Sequence, residues 1–211
     1  MYGAERSASV GVVSTTRLVV ASYIALGVTA RRGPTTSYDL KRYVAESIGY
    51  FWQIPHAQLY AEPQRLEDLG LLRSRSEEGG RRRRFFEITD AGREAFEAWL
   101  ADPSTDAPEL RDTGLLKLHF GALGTPDDVR ALGEHQREVR EERLQRFLEF
   151  EAQYDGRPGQ EHQLLTLRLG QAYERMFAAF WQQVADSAED LAEGRVGSIE
   201  LRFLADEGER G

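Results

Sequence analysis

Cysteine is absent from the 211 residues, which excludes disulfide staples, a thiol nucleophile and any cysteine-ligated zinc or iron–sulfur centre. Lysine is almost absent: Lys41 and Lys117 stand alone, so 25 of the 27 basic side chains are arginine. Coding-DNA composition accounts for that bias as readily as a need for bidentate contacts. Long apolar runs are also missing, and none approaches the roughly 20 residues that cross a bilayer. The most apolar early stretch, Leu18 to Val28, is broken by Ser22, Tyr23 and Gly27. It lacks the basic start and small-residue cleavage site of a signal peptide, so a soluble, cytoplasmic protein without membrane contact is expected. His56, His119, His135 and His162 stand at no ligand spacing, and no nucleophile or phosphate-cradling pattern is present. The expectation is no metal, no cofactor and no enzyme.

What is present is divided unevenly. The formal net charge is -8, but residues 1–100 carry +2 and residues 101–211 carry -10. Such asymmetry between halves points to divided labour. Residues 1–16 are small and polar with no sustained period and read as a flexible arm. Leu18, Val19, Ala21, Ile24, Ala25 and Val28 fit a mostly buried helix from Arg17 to Ala30. The turn Gly33-Pro34-Thr35-Thr36-Ser37 breaks it and supplies N-cap candidates. A second helix carries Leu40, Tyr43, Val44 and Ile48 and stops at Gly49. Tyr50 to His56 is too short and aromatic for a free loop. A third helix begins near Pro55 and ends at Gly70, with Leu59, Leu66 and Leu69 on one face. Pro63 inside it argues for a break or kink.

Leu71 to Ser76 and Arg82 to Thr89 then flank Glu77-Glu78-Gly79-Gly80-Arg81 as a β-hairpin with a glycine tip. Thr89-Asp90 caps a fourth helix containing Phe96, Trp99 and Leu100. Helix, helix, helix, strand, strand and helix make a winged helix-turn-helix over residues 17–101. Residues 102–113, with Pro103 and Pro108, read as a linker. The rest, 114–190, is helical: a short helix marked by Leu115, Leu116, Leu118 and Phe120, then a long one opened by Thr125-Pro126-Asp127-Asp128. The long helix runs to about Tyr154, with Val129, Leu132, Val139, Leu144, Phe147 and Leu148 on one side. After Gly156-Arg157-Pro158-Gly159 a second long helix presents Leu165, Leu169, Ala172, Met176, Phe180 and Val184 as its apolar face, completing an antiparallel hairpin. In the tail, 191–211, Leu191 can extend a helix, whereas Ile199, Leu201 and Phe203 alternate like a strand. The fold class is therefore mainly α with a small β-hairpin wing, a winged helix-turn-helix followed by an α-helical dimerisation domain.

The order of these motifs resembles the PadR family of bacterial transcriptional regulators. The resemblance is carried by Thr36-Ser37-Tyr38-Asp39-Leu40, Tyr50-Phe51-Trp52-Gln53, and Gln58-Leu59-Tyr60-Ala61-Glu62-Pro63-Gln64-Arg65-Leu66-Glu67. It continues through Gly70-Leu71-Leu72, the basic wing to Phe86, Ile88-Thr89-Asp90-Ala91-Gly92-Arg93, Leu110-Arg111-Asp112, and Leu115 to Phe120. It spans roughly residues 17–187 and is similar to the longer class with a separate C-terminal domain. The family's recognition helix carries a proline where Pro63 stands. Where the family often has His-Gly-Tyr, this chain has Thr36-Ser37-Tyr38, which keeps a capping hydroxyl. The resemblance implies a homodimeric repressor on double-stranded operator DNA, cytoplasmic and at the nucleoid when bound. Its half-sites would lie about 10 base pairs or a multiple apart.

At 100° per residue, burying Leu59, Leu66 and Leu69 turns Ala57, Gln58, Ala61, Gln64 and Arg65 outward, with Tyr60 at the side and His56 at the leading end. The glutamines suit adenine, and Arg65 suits guanine or phosphate. Polar residues opposite leucines are also what any solvated helix shows; the winged-helix context favours DNA. Arg81, Arg82 and Arg83 at the wing suit phosphate or a narrow minor groove, while Arg83 and Arg84 also suit guarding a strand edge. Thr36, Ser37, Tyr38 and Lys41 would meet backbone phosphate, and Tyr38 suits the core equally. Some members of the family respond to phenolic acids or flat cationic drugs. By that resemblance Tyr173, Phe177, Trp181 and Trp52 are candidates for a small aromatic effector; an aromatic stripe is as readily core or dimer interface. The competing class is a winged helix that binds another protein without specific DNA binding, and the net charge is its best argument.

Overall fold

The computed structural model describes residues 17–77, 83–154 and 156–195. About 70% of the structure is helical, with one two-stranded antiparallel sheet. It divides into two compact units at Ala107/Pro108.

In the first unit α1 (Val20–Arg32), α2 (Ser37–Glu46) and α3 (His56–Asp68) close over Ala25, Leu26, Leu40, Val44, Leu59 and Leu66. The start of α2 is set locally. The Thr36 hydroxyl accepts the Asp39 amide at 3.1 Å and donates to its carboxylate at 2.7 Å, a capping box that satisfies orphan donors of the first turn. α2 ends at Glu46, and Ile48 begins a 3-10 turn, Ile48–Tyr50. Phe51 and Trp52 beyond it are exposed. α3 runs unbroken through Pro63, whose ring is buried. Its inward face is Leu59, Glu62, Pro63 and Leu66, and Leu69 is not part of it. The helix ends one residue earlier and Gly70 turns the chain with φ +73°, a left-handed geometry glycine adopts without a Cβ clash.

β1 (Leu72–Ser76) pairs with β2 (Arg84–Ile88) in the register Leu72 to Ile88 and Ser76 to Arg84. Alternation across the strands puts Leu72, Ser74, Phe86, Ile88 and Arg84 on one face and Arg73, Arg75 and Glu87 on the other. Thr35 bridges Phe86 with paired backbone bonds of 3.0 and 2.9 Å, so the cap of α2 is tied to the wing. Thr89 caps α4 (Asp90–Ala101) through Gly92. A Cβ on Gly92 would meet the Leu71 carbonyl at 2.1 Å, so no other residue lets the helix start this close to the sheet.

The second unit contains α5 (Thr113–His119), α6 (Pro126–Tyr154), α7 (Glu161–Asp186) and a short α8 (Ala188–Ala192). α6 and α7 form an antiparallel hairpin, with Gly133 near Ala185 and Glu151 bonded to Arg168. Its core is Val129, Phe177, Trp181, Val184 and Ala188, and Phe147 is buried further along. The apolar face expected for α7 is largely outside: Leu165 and Leu169 are 70% and 71% exposed, and Met176 is exposed too. The buried seam runs instead through Leu167, Gln171, Glu174, Trp181, Ala185 and Ala188. At 100° per residue the two seams lie on opposite sides of the helix. Leu191 lies in α8; Ile199, Leu201 and Phe203 are outside the described residues.

Candidate nucleic-acid interface

The first half of α3 offers side chains outward. His56, Ala57, Tyr60 and Ala61 are exposed and Gln58 is half-buried. Among the described residues Gln58 makes no side-chain hydrogen bond. The two alanines leave room for close approach. Beside them α2 contributes Tyr38, which is 62% exposed and not core, together with half-buried Ser37 and Lys41. Lys41 and His56 line one notch of about 260 Å³ with Val44, Gln53, Ile54 and Leu59. Thr36 is committed to its capping box, leaving Ser37 as the better placed hydroxyl.

The second half of α3 is engaged within the chain. Glu62 is buried and accepts from Ser22 Oγ of α1 at 2.6 Å. Arg65 forks onto that carboxylate at 2.6 and 3.2 Å and donates to Ser22 Oγ at 2.8 Å. The Glu62 bond raises the Arg65 pKa against the opposing effect of burial. Removing Arg65 would leave the buried carboxylate with the Ser22 hydroxyl and no counter-charge. Gln64 Nε2 donates to Glu67 at 3.2 Å and Asp68 at 2.8 Å, and its Oε1 accepts from Arg84 of the wing. Arg84 also pairs with Glu67 and donates to Ser74 Oγ at 2.9 Å. Ser74 donates twice to Glu67, from its hydroxyl at 2.6 Å and its amide at 3.1 Å. The Ser74 hydroxyl, helped by Arg84 and Gln64, holds the Glu67 carboxyl below the usual range.

Of the wing arginines, Arg83 is exposed, and Arg81 and Arg82 lie outside the described residues. The effector candidates fall in different units. Trp52 is exposed in the first; Phe177 and Trp181 close the core of the second, with Tyr173 at its edge and stacked on Phe177 at 4.5 Å.

Sequence reasoning missed the buried charges. Beyond Glu62, these are Arg140, whose guanidinium sits 2.6 Å from Asp112 and 3.4 Å from Glu174, and Glu174 itself, also 3.2 Å from Arg143. The signal available was spacing. Glu62 and Arg65 stand three apart, and Arg140 falls midway between Gly133 and Phe147, seven residues from each buried neighbour.

A family model for PadR-like transcriptional regulators matches residues 26–98, and one described as the virulence activator alpha C-terminal domain matches residues 110–188. The chain carries a PadR-like domain with a C-terminal extension. It is similar to the negative transcriptional regulator PadR of Bacillus subtilis, 28% identical over 59% of this chain and 69% of the relative. A probable transcriptional regulator of Mycobacterium tuberculosis is 26% identical over 74% of this chain and 91% of the relative. Among solved structures, B. subtilis PadR in complex with operator DNA shares the fold at TM-score 0.73, with 22% identity over 81% of this chain and 99% of that one. The Vibrio cholerae virulence activator AphA matches at TM-score 0.63, with 26% identity over 82% and 99%. As a PadR-like winged-helix protein the chain is a DNA-binding transcriptional regulator, and no helix among the described residues is long and apolar enough to cross a membrane.

Proposed function

We propose that this PadR-like regulator is a homodimeric repressor that reads a two-fold operator and is released by a small aromatic effector. The observation that carries the DNA-reading part is the outward first half of α3, from His56 to Ala61, on a winged helix whose wing bears Arg81 to Arg84. Tyr38, Ser37 and Lys41 at the start of α2 and Arg81, Arg82 and Arg83 at the wing take backbone phosphate; the α3 side chains meet base edges. The winged helix, residues 17–101, carries DNA, the linker 102–113 connects, and the helical segment 114–190 pairs protomers. Pairing is supported by the outer face of α7, where Leu165, Leu169 and Met176 remain exposed in a single chain. Large side chains in such a row are ordinarily covered by a partner. The sign of regulation follows the Bacillus relative, whose name is negative transcriptional regulator, and the effector class follows its structure with p-coumaric acid.

A gel shift on DNA upstream of the protein's own gene, across a salt series with competitor DNA, tests this reading. The expected result is a discrete complex that survives competitor and weakens steeply with salt. Alanine at both Arg81 and Arg82 lowers affinity on every sequence and flattens the salt slope by about 0.9 for each phosphate no longer neutralised. No complex even at low salt would transfer the fold to protein binding. Aromatic acids should release DNA and shift the thermal midpoint; an unchanged midpoint and undiminished complex would remove the effector.

A further inference from the structure

The two halves of α3 differ in what their polar groups already hold. Gln64 has two amide protons and one carbonyl oxygen to offer. The protons go to Glu67 at 3.2 Å and Asp68 at 2.8 Å, and the oxygen takes a proton from Arg84. The carboxamide is thereby oriented: its oxygen faces the wing and its nitrogen faces the helix's own acids. Arg65 is held in the same way by Glu62 and Ser22, an acid in its own helix and a serine in α1. Adenine readout by Gln64 requires both ends of the amide at once. It would draw one amide proton away from Glu67 or Asp68 and turn the oxygen toward a base while Arg84 already holds it. Gln58 has no such prior commitment and sits six residues earlier, between the exposed small residues Ala57 and Ala61.

We propose that base discrimination is confined to His56–Ala61 with Gln58 as the base-reading amide, while Gln64 is a positioning residue that, with Glu67, Ser74 and Arg84, locks the wing to the recognition helix. This rests on the DNA-binding reading above. The joint reaches across three elements. α3 supplies Gln64 and Glu67, β1 supplies Ser74, and β2 supplies Arg84, which stays 45% exposed while its guanidinium reaches Gln64, Glu67 and Ser74. Arg84 also lies over the Phe86 ring at 5.2 Å, and Phe86 is in the core. Locking the wing this way fixes where its exposed arginines stand relative to the groove that α3 enters. The wing's phosphate contacts and the helix's base contacts then add only when the joint is closed.

The test is selection of bound sequences from a randomised DNA pool by the full chain, run in parallel with amide hydrogen exchange of the hairpin without DNA. The set is wild type, Gln58→Ala, Gln64→Ala, Arg84→Ala and the Gln64→Ala/Arg84→Ala double variant. Gln58→Ala should flatten preference at one or two base positions by about tenfold, the scale of one bidentate pair. It should leave hairpin exchange at the wild-type rate. Gln64→Ala and Arg84→Ala should keep the wild-type preference profile, lower affinity for all sequences by a common factor and speed exchange in the hairpin. The double variant should be little worse than either single one, since both break one joint. The proposal is overturned if Gln64→Ala erases preference at a discrete position while hairpin exchange stays at the wild-type rate. An unchanged profile in Gln58→Ala overturns it equally. A wild-type chain that enriches no sequence removes the DNA reading, and with it the role of Gln58. In that case equal acceleration of hairpin exchange by Gln64→Ala and Arg84→Ala still establishes the joint, and no acceleration dismisses it.

Discussion

Replacing Arg140 by methionine should destabilise the second unit more than any surface change in it. Arg140 is 9% exposed, and its partners Asp112 and Glu174 are 10% and 2% exposed. The guanidinium also lies 4.8 Å from the Phe177 ring, so methionine retains volume and the aromatic contact while removing the charge. Breaking a buried ion pair from one side costs about 3–5 kcal/mol, because the remaining charge is left uncompensated in a medium that solvates it poorly. Here Arg143 stays 3.2 Å from Glu174, so the lower end, about 3 kcal/mol, is expected. With a urea m-value of about 1.5 kcal/mol/M the unfolding midpoint falls by about 2 M. Asp112→Asn is the control. Its Oδ1 accepts from Gly114 and Leu115 at the start of α5, a cap that asparagine preserves. With Oδ1 kept in the cap, the amide nitrogen takes the place of the oxygen that accepts from Arg140, so that bond is lost while Glu174 still holds the guanidinium, and the midpoint should fall by less than for Arg140→Met. The assay is urea unfolding at one protein concentration, since association contributes to apparent stability, with hydrogen exchange to assign the loss to α5, α6 and α7. A midpoint shift below about 0.5 M for Arg140→Met, or one no larger than that of Asp112→Asn, would refute the view that this cluster is satisfied only as a whole.

Leu169→Glu places a charge on the outer face of α7, where the leucine is 71% exposed in a single chain; light scattering should report monomers with unchanged helix content, and a persistent dimer would put the interface elsewhere. At Gly133 an added Cβ would come within 2.8 Å of both the Ala185 amide nitrogen and the Trp181 carbonyl. Those are backbone atoms that cannot rotate away, so Gly133→Ala should cost about 1–3 kcal/mol in thermal unfolding. The Glu67 carboxyl is held below its ordinary value of 4.5 by Ser74 and Arg84. Its contribution is complete above the ordinary carboxylate range and is lost as pH falls through the lowered folded value. The protection of the hairpin amides, relative to the intrinsic exchange rate at each pH, should therefore fall as pH drops below the ordinary carboxylate range in the native chain, and Glu67→Gln should remove that step.

The elements that begin on local chemistry were legible from sequence. Thr36 with Asp39, Thr89 with Gly92, and Thr125 with Asp128 are each cap and partner three residues apart, a pattern that needs no tertiary information. The glycine tip between two short alternating runs gave the wing for the same reason. What could not be read locally was which polar groups face their own chain. The partners of Arg65 and Gln64 include Ser22 and Arg84, which lie 43 and 20 residues away, and helical periodicity assigns both residues to the outward side. α7 shows the converse. Gln171 and Glu174 occupy the middle of its buried seam, so a search for apolar residues settles on Leu165, Leu169 and Met176 opposite. Both departures have one cause. A hydrophobic pattern reports which residues leave water, and in this chain an interior arginine and three interior acids or amides do so only because each brings its counter-group with it. The leucine face left outside α7 then has no cover among the described residues of its unit. With Leu165 and Leu169 at 70% and 71% exposure, it is the apolar area that the proposed pairing of two copies would cover.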